Sequence, residues 1–187
     1  GGVLLSTSGV FPVHREALQR PDLLGDRRPR LLNMSTLGEH LLHPGDAARG
    51  PKIEALVVYN CNPVAVAPAS PQVVQGFKRE DLYTVVLEHF MTDTADLADL
   101  VLPATTQLEH WDIHTSYGHT DVLLNQPAIA PLGEARSNAQ IFRNLAAAMG
   151  FDEPCFADSD ETLCRTAFGE RIEFDTLLRD GFAHLDL

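Results

Sequence analysis

"IEALVVYN" (residues 53–60), "SPQVVQGFKRE" (70–80), "LYTVVLEHF" (82–90), "TDTADLA" (92–98) and "DLVLPAT" (99–105) follow one another directly, and their order decides the fold. The first, third and fifth are short apolar runs rich in β-branched and aromatic residues, each stopped by a polar or proline-bearing loop, as buried strands are. The second opens on Ser70-Pro71, a capping residue followed by a helix-starting proline. The fourth carries acids at its start, where a helix dipole favours them. Continuous apolar strands alternating with helices imply a parallel sheet covered on both faces. The expected class is α/β, a parallel-sheet βαβαβ unit followed by an irregular, partly β segment and C-terminal helices. Ligands of such sheets sit beyond the carboxyl ends of the strands. Three segments fall there: Asn60-Cys61-Asn62-Pro63, Glu88-His89, and Pro103 to Thr106.

Outward from this core the texture changes. "GGVLLSTSGVFP" reads as a short strand and loop, and Pro21 limits the helix before it. "STLGEHLLH" (35–43) reads as a helix with Ser35 near its start, and "PGDAARGPK" as a turn-rich linker. After Thr106, "LEHWDIHTSYGHTDVLLNQPAIAPLG" is irregular with strand-like pieces. "SNAQIFRNLAAAMG" (137–150) is an amphipathic helix capped by Ser137, with an Ile141, Leu145, Met149 stripe and Gly150 at its end. "SDETLCRTAF" (159–168) is a further helix, and the chain then leads onward. The division expected is 1–106, part of an α/β domain, and 107–187, an irregular segment plus helices leading to a next domain.

Composition narrows the functional classes. An apolar content of 44% in 187 residues fits a folded domain. A formal net charge of -12 argues against nucleic acid as a partner, since such binders present a basic face. No apolar run approaches the roughly 18 residues of a membrane span. Cys61, Cys155 and Cys164 lack metal-ligand spacing, and an odd, sparse count fits reduced thiols in a cytoplasmic setting. The chain starts at Gly1 rather than Met, and its first residues have the texture of mid-protein sequence, so a fragment is expected.

Each polar residue at the sheet edge has two readings. Glu88 could accept paired hydrogen bonds from a planar N–H edge such as that of guanine, or be a solvated strand-end acid. Asn60 and Asn62 could hold ribose, pyrophosphate or a pterin edge, or make a local turn before Pro63. Cys61 has no assignable partner and reads as a buried, inert thiol. Thr92 and Thr94 flank a helix start that could receive a phosphate or be ordinary caps. His110, His114 and His119 suggest a metal site by number, but the residues between them do not form the helix that would align them. No metal ligand and no catalytic residue is assigned.

"VVYNCNPV", "FMTDTADLADLVLPATTQLEH" and "SNAQIFRNLAAAMGF", in this order, resemble the molybdopterin oxidoreductases, the family of formate dehydrogenases, nitrate reductases and dimethyl sulfoxide reductase. "MTDTADLADLVLPAT" is the most specific part, and the resemblance covers about residues 53 to 151. It implies a catalytic subunit holding molybdenum or tungsten between two pyranopterin guanine dinucleotides. The βαβαβ unit would then be part of a Rossmann-like guanine-dinucleotide-binding domain. By resemblance Asn60 and Asn62 lie in the dinucleotide-contacting loop, Glu88 near guanine or ribose, and Thr92 and Asp99 in the pocket-shaping signature. An iron–sulfur cluster and the metal-ligating residue would lie upstream, and Cys61 does not match the metal-ligand position. A small-molecule substrate and an electron-transfer subunit are the implied partners. The alternatives are a cofactor-less scaffold subunit of a respiratory complex, descended from this family, and a stand-alone α/β nucleotide-binding module. The isolated stretch is expected to be inactive and poorly stable.

Overall fold

Three parallel strands realise the pattern of residues 53–105. The computed structural model describes residues 11–43, 45–116 and 118–185, so the strand expected within residues 1–10 lies outside the described residues. In chain order the elements are α1 (Arg15–Gln19), α2 (Leu37–Leu42), β1 (Ala55–Tyr59), α3 (Pro63–Val66), α4 (Ser70–Phe77), β2 (Tyr83–Glu88), β3 (Leu100–Pro103), β4 (Asp112–Thr115), β5 (Asp121–Asn125), α5 (Asn138–Ala148), α6 (Asp160–Phe168), α7 (Phe174–Asp180) and β6 (Phe182–His184). Two units result. Arg27–Ala104 form one, and the described residues up to Asp26 with those from Thr105 onward form the other.

In the Arg27–Ala104 unit the strand order is β1-β2-β3, all parallel, with Val58 opposite Val86 and Val86 opposite Val101. One face packs Val58 and Val86 against Leu41, Val73 and Phe77 of α2 and α4. The two helices meet at backbone distance. A Cβ on Gly38 would lie 2.8 Å from Gln72 Cβ and 2.9 Å from Val73 N, and one on Gly76 would run into Leu41 Cβ. Glycine is needed at both positions because no side chain fits between the helices. On the other face Val57, Tyr59, Tyr83 and Leu100 are each between 41% and 54% exposed. Within this unit, then, the helices cover one sheet face.

The helix ends differ from expectation in instructive ways. Ser70 does not cap α4. Ala69, at φ 56°, is the capping position, and Ser70 Oγ donates to Val64 O at 2.9 Å, tying α4 to α3. Asn33 rather than Ser35 caps the turn leading into α2, accepting from Ser35 N at 2.9 Å. The helix expected at 92–98 is a three-residue 3-10 turn, Ala95–Leu97.

The other unit holds an antiparallel sheet in the order β4-β5-β6, with Ile113 opposite Leu124 and Val122 opposite Ala183. Its core joins Phe11, Val122, Leu124, Phe168, Ile172, Phe174 and Leu177. Residues 11–26 belong here, since Phe11 enters that core and His14 N donates to Ala167 O at 2.7 Å. No local pattern signals so distant a pairing. Ser137 and Ser159 cap α5 and α6 as expected, accepting from Gln140 N and Thr162 N. The apolar stripe of α5 is not core: Leu145 and Met149 are exposed, and Ala146 is the buried residue.

Candidate functional site

The carboxyl ends of β1 and β2 carry most of the polar residues singled out above. After Tyr59 the chain turns at Asn60, whose φ of 54° is the left-handed conformation that asparagine tolerates better than most residues. Cys61, expected to be buried, is exposed, because it lies in the loop beyond the last residue of β1, and Pro63 opens α3. Asn62 makes no local turn. Its Oδ1 accepts from Thr94 Oγ1 at 2.7 Å and from Thr94 N at 3.2 Å, and Thr94 Oγ1 accepts from Val64 N at 3.0 Å. Thr94 is fully buried. A polar knot therefore joins the loop after β1 to the loop after β2, buried at Thr94 and Val64 and part-buried at Asn62.

Glu88 ends β2 half-buried, one step beyond the Tyr59–Leu87 pair. Its Oε1 accepts from His89 N at 2.7 Å, and its backbone O accepts from Ala104 N at 3.2 Å. Oε2 meets no donor among the described residues. Thr92 Oγ1 accepts from Ala95 N at 3.3 Å, an ordinary cap of the 3-10 turn. Of the amides proposed for a phosphate, that of Thr94 is already taken by Asn62. Phe90 and Met91 stand exposed beside this edge.

Asp99 lies elsewhere. It precedes β3, and its Oδ2 accepts from Thr84 N at 2.6 Å while its own N donates to Thr84 O at 2.9 Å. Thr84 stands near the start of β2, so Asp99 clamps the amino-terminal edge of the sheet. The structure brings Asn60, Asn62, Glu88 and Thr92 to one edge and sets Asp99 at the opposite one.

The histidines of the other unit do not converge. His110 Nδ1 lies 2.9 Å from Thr105 Oγ1, His114 Nε2 is 3.5 Å from Gln107 Nε2, and His119 Nδ1 accepts from Asp121 N at 3.1 Å. No group of three or more metal-ligating side chains occurs among the described residues.

The polar centre of that unit is Glu109, 7% exposed. It closes a capping box with Thr106, its Oε2 accepting from Thr106 N at 2.7 Å and Oγ1 at 2.8 Å, while Oε1 accepts from Leu132 N at 2.6 Å. The Thr106 N–H, then the Thr106 hydroxyl and the Leu132 N–H, hold the Glu109 carboxyl below its ordinary range. A depressed folded-state value stabilises the fold above the unfolded value, and that contribution is lost as pH falls through the folded one. The difference in melting temperature between the full-length protein and its Glu109→Gln variant should therefore be full at neutral pH. It should close as the pH drops below about 4.3. A difference independent of pH would remove Glu109 from this role. The Thr-x-x-Glu spacing of 106–109 was the sequence signal for this hub. For Thr94 the signal was weaker: it stands at the cap position of the Ala95–Leu97 turn and read equally as an ordinary cap, yet its side chain makes no cap hydrogen bond.

These features define an α/β fold whose parallel strands gather donors and acceptors beyond their carboxyl ends. A model of the molybdopterin oxidoreductase family matches residues 36–148, and the chain belongs to that family. A probable oxidoreductase of Bacillus subtilis, YoaE, is 44% identical over 189 residues, covering 97% of this chain and 27% of the relative. The dimethyl sulfoxide/trimethylamine N-oxide reductase of Rhodobacter capsulatus is 40% identical over 85 residues, 44% of this chain and 10% of that protein. Acetylene hydratase from Pelobacter acetylenicus shares the fold, with a TM-score of 0.69 over 92% of this chain and 24% of the solved one, at 21% identity. The chain thus spans about a quarter of YoaE's length and less of the reductase's. Among the described residues no helix is long and apolar enough to cross a membrane.

Proposed function

We propose that Asn60, Asn62, Glu88 and Thr92 form part of the nucleotide end of one guanine-dinucleotide site. The whole protein would be a bis-molybdopterin guanine dinucleotide oxidoreductase containing molybdenum or tungsten. The observation that carries this reading is the pairing at one sheet edge of an unmatched donor, the Asn62 amide NH2, with an unmatched acceptor, Glu88 Oε2. That donor–acceptor set fits a guanosine phosphate, whose base offers N–H groups and whose phosphates offer oxygens. When bound, the cofactor supplies the metal centre for electron transfer, and the residues of this chain bind and orient its nucleotide end. Asp99, at the far edge, contributes by clamping β3 to β2. A small-molecule substrate and an electron-transfer partner belong to the whole protein in this reading, as does an iron–sulfur cluster bound upstream.

The test uses the full-length protein. Acid release should yield about two guanine nucleotides per metal atom, the ratio that a bis-dinucleotide cofactor requires. Glu88→Ala removes a charge-assisted acceptor worth about 1.5–3 kcal/mol, so the variant should release nucleotide roughly 10 to 100 times faster. Unchanged release would take Glu88 out of the site. Absence of both metal and nucleotide, from a host that makes the cofactor, would favour the scaffold alternative.

A further inference from the structure

The side-chain amide of Asn62 has a determined direction. The backbone N–H of Thr94 can only donate, so the Asn62 atom 3.2 Å from it is the oxygen. The backbone N–H of Val64 can only donate as well, so Thr94 Oγ1, 3.0 Å away, accepts there. The Thr94 hydroxyl proton is then free to point at Asn62 Oδ1, 2.7 Å distant. With Oδ1 holding two donors, the NH2 is presented on the other side of the amide. Its two N–H groups find no acceptor among the described residues. Asn62 is only half-buried, so these donors face a region that solvent or a ligand can fill.

We propose that Thr94 is a positioning residue of the carboxyl-edge site, fixing Asn62 so that its side chain offers donors alone to that edge, and that they receive a proton-free acceptor oxygen, such as those of a phosphoryl group. This rests on the dinucleotide reading and adds a polarity to it. The Asn62 amide reads oxygen acceptors, and Glu88, on the neighbouring strand, reads donors. Thr94 touches no ligand itself. Its burial and its buried contact with Val64 N make it a rigid support for the part-buried Asn62 amide.

The decisive substitution is Asn62→Asp in the full-length protein. Aspartate keeps the size and the oxygen that Thr94 holds, and exchanges only the outward NH2 for a carboxylate oxygen. The melting temperature should hold, while release of bound guanine nucleotide should accelerate at least ~10-fold, because a carboxylate repels the oxygen that the amide attracted. If that oxygen is phosphoryl, the acceleration should shrink as salt screens the two charges; if it is a base carbonyl, it should not. Thr94→Val should also accelerate release, and Thr94→Ser, which restores the hydroxyl, should return it to the wild-type rate. Wild-type release from Asn62→Asp would overturn the donor polarity, and wild-type release from Thr94→Val would overturn the positioning role. A wild-type protein that carries no nucleotide would instead overturn the dinucleotide reading itself.

Discussion

Phe168→Ala is expected to lower the stability of the unit built on β4, β5 and β6 by about 3–5 kcal/mol. Phe168 is 2% exposed at the end of α6, within a cluster that draws on Phe11, β5 and α7. Truncating it removes most of an aromatic side chain from a cluster whose members beyond α6 sit on three separate segments. Those segments cannot all close on the void, so the cavity term adds to the lost transfer energy. Hydrogen exchange on the full-length protein should show the loss concentrated in β5, β6 and α6. An effect below about 1 kcal/mol would mean that the cluster collapses freely onto the gap and is not a packed core.

Leu41→Ala should cost the parallel-sheet unit about 2–5 kcal/mol. Leu41 is fully buried, and the Gly76 backbone lies against its Cβ. The alanine keeps that Cβ contact and empties the space beyond it, beside Val73 and Phe77. Relaxation is restricted because α2 and α4 already touch through Gly38 and Gly76 and cannot move closer. The arginine that spans this region adds a second constraint, Arg79 Nη1 donating to Leu41 O at 3.0 Å and Nη2 to Ile53 O at 3.2 Å. Exchange protection should fall in β1 and β2, whose inward residues share this core. If protection in those strands were unchanged, α2 would be an appendage and not one layer of the unit.

The parallel sheet was legible because its signal is local. Each strand is an apolar run with a stop, and each stop falls where the strand ends in the structure. Ser137 and Ser159 were equally legible, since a cap acts on residues two or three positions away. What sequence pattern could not show were partnerships across the chain. For Asn62 a ligand contact and a local turn before Pro63 read equally well, and neither reading could show its partner, Thr94, 32 residues later. Asp99 sits inside the family-like signature, which suggested the pocket; its hydrogen bonds to Thr84 put it at the far edge. The α5 stripe had the right period for a core face, but periodicity shows only that a face is apolar, not that this stretch of chain covers it. Ser70 failed as a cap because the helix begins one residue earlier, and its hydroxyl found the Val64 carbonyl instead.

The part-exposed Val57, Tyr59, Tyr83 and Leu100 on one face of the parallel sheet also bear on how this stretch behaves when copies of it meet. Two such faces attract at contact, while a net charge of -12 holds the copies apart at longer range. The repulsion reaches about 30 Å at 0.01 M salt and only about 10 Å at 0.1 M, whereas the contact attraction is not weakened by salt. Dilute buffer should therefore keep this stretch dispersed, and added salt should favour self-association, which light scattering at the two salt concentrations would read.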